Sequence, residues 1–380
     1  MSATGLFLQF LWLGLGSFGG PAAHVGYFRK RFVTAELIGE AEFARLLAMT
    51  QVLPGPGSSQ LGFAIGYRFA GLRGALAAFA GFTLPSFVLM YLLAVGEPAA
   101  VDGQLHGVVK GLKLLAVVVV ADAVLSMGRA FCARTAGKAL ALGTAVAMWF
   151  WPGMLMQMLL LPVGAGLGFL LLRETRPETP AATAGRWRLH PALLVFAVLF
   201  AVSLLLPVFW PAAQLFSAFY QAGSLVFGGG HVVLPLLQET LGDALSADTF
   251  LTGYAAAQAV PGPMFTLATY LGATMSSWPP GGALLATAGV FLPGFLLVLG
   301  LYQSWERLAA RAGFCAAVAG INAVVVGLLL SALYQPVFVS AVHNSSDMAW
   351  LALGGFALWV LRWPVPALVL LFALAGVLAG

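Results

Sequence analysis

Apolar runs separated by polar or Gly/Pro punctuation recur along the whole chain. They mark about thirteen segments, at 6–27, 42–68, 74–95, 106–127, 138–151, 153–172, 191–209, 213–234, 249–275, 281–303, 314–335, 347–361 and 364–380. A bilayer core takes roughly 20 apolar residues per spanning helix, so most of these runs predict helices long enough to cross it. Segments 138–151, 347–361 and 364–380 are short for a full span and are expected to be tilted or partly buried. The one extended polar stretch, Arg173 to His190, carries Arg173, Arg176, Arg186 and Arg188 with Pro177 and Pro180, and reads as a linker.

The pattern then repeats. Phe18-Gly19-Gly20 followed by His24 returns as Phe227-Gly228-Gly229 followed by His231. Gln51 to Pro56 (QVLPGP) returns as Gln258 to Pro263 (QAVPGP), Leu84-Pro85 as Leu292-Pro293, and Val117 to Val119 as Val324 to Val326. The offsets (231 − 24, 261 − 54, 293 − 85) are 207, 207 and 208, and ordered matches at so constant a spacing identify an internal duplication. The expected domains are an N-terminal repeat at 1–172, a linker with an extra helix at 173–212, and a C-terminal repeat at 213–380. With six segments before the linker and 191–209 as an added span, the second copy starts on the opposite side. The expected fold is therefore an all-α polytopic membrane protein of two inverted homologous halves with broken helices, a common transporter plan.

Charge supports an N-terminus on the cytoplasmic side. If every segment crosses, the inner loops hold Arg68, Arg73, Arg129, Arg134, Lys138, Arg173, Arg176, Arg186, Arg188, Arg307, Arg311 and Arg362. The outer loops then hold Arg29, Lys30, Arg31, Arg45 and Lys110, so the cluster Arg29-Lys30-Arg31 goes against the positive-inside bias. Making 42–68 and 249–275 re-entrant hairpins would bring the cluster inside but render the halves parallel, so crossing segments are the preferred reading.

Composition agrees with this picture. Apolar residues are 61% of the 380 and charged residues 8%, with a mean hydropathy of +0.96. Soluble domains carry about 25% charged residues, so a water-facing surface is excluded. The net charge of +5 is accounted for by inner loops and calls for no nucleic acid. Cys132 and Cys315 read as unpaired packing residues. The start, Met1-Ser2-Ala3-Thr4-Gly5, lacks a basic n-region, so the first apolar run is taken as mature protein.

The candidate chemistry centres on Pro54-Gly55-Pro56 and Pro261-Gly262-Pro263. Proline removes a backbone donor and clashes with the preceding turn, and broken helices in a membrane are tolerated where they are buried or line a wet cavity. Each break creates a new helix N-terminus whose free N–H groups favour an anion. Gly57, Ser58 and Ser59 follow the first break, and Thr266 supplies a single hydroxyl after the second. In inverted halves the two termini would face each other near the midplane. The plainer reading is a pair of proline kinks with no ligand.

Gln51 and Gln258 either donate to a ligand or cap a freed carbonyl. His24 and His231, beside Gly19-Gly20 and Gly228-Gly229, are either functional or satisfied packing residues. Arg29, Lys30 and Arg31 either snorkel into headgroups or form an anion vestibule. The counterpart loop carries Glu239, Asp243 and Asp248 instead. Lys113 and Asp122 point to opposite faces of the fourth segment. Asp122 shares a face with Arg129, which makes it a structural ion pair or a proton-coupling group. No HExxH helix, Walker A loop, GxSxG elbow or carboxylate-rich metal cluster is present, and no paired redox cysteines. This weighs against a membrane-embedded oxyanion reductase, and neither a metal nor a cofactor is expected.

Ser17 to His24 (SFGGPAAH), Tyr27-Phe28-Arg29, Glu42-Phe43, Gln51 to Gln60 (QVLPGPGSSQ), Phe227 to His231 and Gln258 to Pro263 together resemble the chromate ion transporter family. The likeness runs from about residue 6 to beyond 335, with fused halves as in its long-chain members. The resemblance implies a secondary carrier exporting chromate across a bacterial inner membrane and conferring resistance. Chromate is a tetrahedral dianion like sulfate, so a sulfate or other oxyanion carrier, including an importer, is the chemically matched alternative. The partners expected are the anion and the lipid bilayer, with a homodimer left as an open option.

Overall fold

The computed structural model of the chain describes residues 1–18, 20–96, 103–173, 190–210, 213–226 and 247–379, together with positions 237, 241 and 245. Every regular element among the described residues is helical. Helix α1 (Ala3–Gly16) starts at Ser2, whose hydroxyl accepts the Gly5 N–H at 3.2 Å, and stops at Ser17. Helix α2 (Gly20–Phe28) runs on into a wider π turn, Arg29–Val33. In one continuous helix Phe10 and Phe28 would stand about 27 Å apart along the axis. Instead Phe10 packs on both Phe28 and Phe32 with ring centroids 5.4 Å apart, so α1 and α2 fold back on each other.

The next pair does the same. Helix α3 (Glu40–Val52) has 13 residues, about 20 Å at 1.5 Å per residue, too short to cross a core of about 30 Å. Helix α4 (Gly57–Val95) leaves helical geometry at Ala70 and Gly71, which divides it into two arms. Glu42 in the first turn of α3 pairs with Arg68 at the end of the first arm, so both ends of this hairpin lie together and Pro54-Gly55-Pro56 is its tip. The second arm turns back along the first, with a Cβ on Gly66 running into the Gly74 carbonyl. It then crosses beside α1, Leu6 meeting Gly74 and Gly14 meeting Phe82.

The remaining helices of the first repeat are α5 (Gly103–Phe131), α6 (Thr135–Phe150) and α7 (Met154–Leu171). Helix α8 (Pro191–Phe209) follows the linker, opened by Pro191 and by His190, whose Nδ1 accepts the Ala192 N–H. The second repeat supplies α9 (Gln214–Leu225), α10 (Ala247–Ala259) and α11 (Leu267–Met275). It continues with α12 (Pro279–Leu301), the short α13 (Trp305–Ala309), α14 (Ala312–Ala332), α15 (Ser345–Trp359) and α16 (Val365–Ala379). Gly253 of α10 lies against Tyr270 and Leu267 of α11, so this pair is also a hairpin. The outer faces are apolar, with Trp12, Leu155, Leu170 and Phe209 exposed, as a bilayer requires.

Segments 6–27 and 42–68 are therefore re-entrant hairpins rather than crossings. Two fold-backs in one repeat leave the parity of crossings unchanged, so the halves stay inverted. The expected outer position of Arg29, Lys30, Arg31 and Arg45 is corrected by the same observation. Arg29 pairs with Glu40 at 3.0 Å at the mouth of the hairpins. Arg45 pairs with Glu306 at 3.7 Å and sits over the Tyr302 ring, at the end where α12 stops. That end also holds Arg68, Arg73, Arg129, Arg134, Lys138, Arg173, Arg307, Arg311 and Arg362, while Lys110 and Lys113 lie toward the other. Lys110 meets the buried Asp347 there at 3.5 Å. Arg176, Arg186, Arg188, Glu239 and Asp243 fall outside the described residues.

The repeats are intertwined. Helix α5 of the first packs against α15 and α16 of the second, and α14 of the second packs against α6 and α7 of the first. Glycines allow the contact: Gly107 and Gly111 lie on the backbone of Gly376 and Phe372, and Gly164 and Gly168 on that of Gly320. Such small-residue spacing lets helix backbones approach closely where lipid offers no hydrophobic drive.

The topology predicts a labelling pattern. In a Cys132→Ser/Cys315→Ser background, Arg31→Cys, Arg73→Cys and Arg134→Cys should react with an impermeant thiol reagent from one face, and Asn344→Cys from the other. Reaction of Arg31→Cys from the Asn344 face would show that 6–27 crosses.

Candidate functional site

Both Pro-Gly-Pro breaks lie at hairpin tips, and each is closed by the opposite repeat. The Gly55 N–H donates to the Val226 carbonyl at 2.6 Å, and the Gly262 N–H donates to the Ser17 carbonyl at 2.9 Å. Ser17 ends α1 and Val226 ends α9, the equivalent helix, so the two bonds are reciprocal across the repeat. Gly55 and Gly262 have φ of +119° and +112°, a region effectively reserved for glycine. The Leu-Pro helices complete the packing. A Cβ on Gly55 would lie 3.1 Å from Gly294 Cα, just after Pro293, and one on Gly262 would lie 2.9 Å from Ser86 Oγ, just after Pro85.

At the first break the buried His24 links three elements. Its Nε2 lies 3.2 Å from the Ser17 carbonyl and its Nδ1 3.1 Å from Ser58 Oγ, and its ring stands edge-on to Phe82. A carbonyl only accepts, so Nε2 carries a proton, and in the neutral ring Nδ1 accepts from the Ser58 hydroxyl. Ser58 is thereby held in place. Ser59 Oγ, in the same turn, is buried without a partner among the described residues, as are Ser17 Oγ, Thr83 Oγ1 and Gln60 Oε1. Gln60 Nε2 donates to the Pro54 carbonyl at 2.7 Å and the Gly294 carbonyl at 3.2 Å, joining the break to the other repeat. Gln60 is not among the site residues expected from the sequence pattern. The available signal was a buried amide opening the otherwise apolar run Leu61 to Ile65.

The second terminus differs. It begins in a tight 3₁₀ turn, Met264–Thr266, and the Thr266 hydroxyl is used on the Pro263 carbonyl at 2.9 Å. Only the first terminus offers an unpartnered hydroxyl among the described residues. Gly19, Gly228, Gly229 and His231 lie outside the described residues, and Gly20, with φ of +77°, begins α2.

The two glutamines have different surroundings. Gln51 is exposed on α3, and Gln258 bonds the buried Tyr254 hydroxyl one turn earlier. Arg29 pairs with Glu40, and Lys30 and Arg31 lie beside it at the basic end. Asp122 accepts the Trp359 Nε1–H at 2.9 Å, so the pairing with Arg129 expected from spacing is replaced by a bond between repeats. Lys113 lies on α5. Among the described residues no group of three His, Cys, Asp or Glu side chains forms a metal site.

Inverted helical repeats that meet through re-entrant, broken helices define a membrane transporter rather than an enzyme. The chain belongs to the chromate transporter family, whose model matches residues 4–169 and 213–378. A chromate transport protein of Pseudomonas aeruginosa is 30% identical over 340 residues, covering 87% of this chain and 80% of its own length. A probable chromate transport protein of Synechococcus elongatus is 26% identical, covering 97% of this chain and 93% of its own. An uncharacterized transporter of Methanocaldococcus jannaschii is 25% identical, with coverages of 87% and 83%. No solved structure matches the chain significantly.

The strained glycines give a stability prediction. Gly55→Ala and Gly262→Ala should each cost about 1–3 kcal/mol through backbone geometry alone, lowering the thermal midpoint of the purified protein. Gly143→Ala, at a position with open space around its Cβ, serves as the neutral control.

Proposed function

We propose that the chain is a secondary carrier, working as an antiporter, that exports chromate across the inner (plasma) membrane and thereby confers chromate resistance. The observation that carries this reading is the first half-helix terminus. There the amides after Pro56, the unpartnered Ser59 hydroxyl and the His24-held Ser58 hydroxyl converge at the crossing of the two repeats. Amides and hydroxyls at a helix N-terminus suit a tetrahedral oxyanion. With no fixed charge in the group, the anion is held without being trapped. The site extends over Gly20, His24, Pro54, Gly55, Pro56 and Gly57 of the first repeat and Pro261, Gly262, Pro263 and Thr266 of the second. Gly19, Gly228, Gly229 and His231 are its expected completion.

The relatives named as chromate transport proteins support chromate as the substrate. The basic end, read as cytoplasmic by the positive-inside rule, supports an approach of the anion from within. The chain is taken as three parts, 1–172, 173–212 and 213–380, with α8 setting the inversion. The same chemistry would accept sulfate, which makes sulfate carriage the alternative.

Counterflow of labelled chromate and labelled sulfate into vesicles holding the purified protein tests the reading. Chromate uptake is expected; uptake of neither anion overturns it, and uptake of sulfate alone selects the alternative. Ser58→Ala/Ser59→Ala should weaken chromate affinity about tenfold or more, the worth of a hydrogen bond to a charged group, at unchanged expression. Unchanged affinity would move the site elsewhere.

A further inference from the structure

A second feature lies between the basic end and the first break. A cavity of about 230 Å³ is walled by Phe131 at the end of α5, by Trp305 of α13, and by Phe314 and Cys315 of α14. Its deeper wall is formed by Asn322 of α14 and Val52 of α3. Cys315 is exposed and Asn322 is 5% exposed. The two are seven residues, or about 10 Å, apart on one helix face, so the cavity runs inward from the surface. Val52 is the last residue of α3, two positions before Pro54. The cavity therefore leads from the basic end to the first Pro-Gly-Pro break.

Its lining is apolar apart from Asn322, whose Oδ1 is buried and has no hydrogen-bond partner among the described residues. An unpartnered buried amide is unfavourable, and a purely apolar occupant would leave it so. A half-turn of the amide group exchanges its oxygen and nitrogen, so the same corner can present N–H donors to an anion. Arg129 of α5, Arg307 of α13 and Arg311 at the start of α14 outnumber Glu306 of α13, which pairs with Arg45, and this excess of positive charge around the mouth has the sign that attracts a dianion. At the repeat-related position (322 − 207) stands Leu115, also buried, so the equivalent place in the first repeat cannot make this contact.

We propose that this cavity is the inward access pocket of the carrier, and that Asn322 is a substrate-selecting donor which passes the oxyanion to the first break. The proposal rests on the oxyanion-carrier reading above. Being neutral, the amide binds a partly dehydrated anion and then releases it, where a buried guanidinium would hold it.

The test uses labelled chromate and the full-length protein in vesicles. Asn322→Leu, which copies Leu115 and suits the apolar lining, should raise the KM for chromate about tenfold. Asn322→Gln should restore part of the affinity, and Asn322→Asp should abolish transport by placing a like charge in the path. In a Cys132→Ser background, a bulky maleimide on Cys315 should block transport of an otherwise active protein. An unchanged KM in Asn322→Leu, or full transport by the Cys315-labelled protein, overturns the pocket. If Asn322→Leu is unaffected while Ser58→Ala/Ser59→Ala is impaired, the pocket fails and the break site stands. If both variants transport normally, both fail.

Discussion

Two backbone hydrogen bonds, Gly55 to Val226 and Gly262 to Ser17, hold the centre of this molecule. A Pro-Gly-Pro tip at mid-depth leaves peptide groups with neither a helical partner nor water, and in hydrocarbon each unsatisfied group costs several kcal/mol. Neither repeat supplies the acceptor for its own tip; it comes from the frayed end of the other repeat's first helix. The glycine between the prolines permits the backbone angle, and the Leu-Pro helices leave space for it. A fold built this way is complete only when both repeats are present.

The same mutual dependence extends outward. Helices α5 and α14 each lie with the terminal helices of the other repeat, along glycine faces that bring backbones together. Ties at the two ends reinforce the exchange: Lys110 with Asp347 at one, Arg45 with Glu306 and Tyr302 at the other, and Asp122 with Trp359 along α5. In transporters of this plan the substrate site sits at the repeat interface, so the contacts that stabilise this fold would also position the proposed site.

Duplication has not kept the copies equal. Ser58, Ser59 and Gln60 of the first terminus correspond to Phe265, Thr266 and Leu267 of the second, and Thr266 spends its hydroxyl locally. Asn322 faces a cavity where the first repeat has Leu115. The symmetric part of these two places is backbone and glycine; the polar side chains at each are found in one copy and not at the equivalent position of the other.

The sequence by itself determined the membrane class, the duplication and the two breaks. Apolar run length, proline and glycine are local properties, and a constant offset survives any folding. It also pointed to His24, Ser58 and Ser59, because polar groups in apolar runs are conspicuous. The direction in which a short helix leaves its break was not legible, since a hairpin and a crossing share one hydropathy pattern. Only the packing of Phe10 on Phe28 and the pairing of Glu42 with Arg68 decided it. That choice moved Arg29, Lys30 and Arg31 to the basic end and still left the halves inverted. Gln60, Asn322 and the true partner of Asp122 were hidden for a related reason: each meets a group from the other half of the chain or lines a cavity that several helices close. The Pro-Gly-Pro breaks are visible as breaks in the sequence; that each is sealed by the opposite repeat is a property of the assembled fold alone.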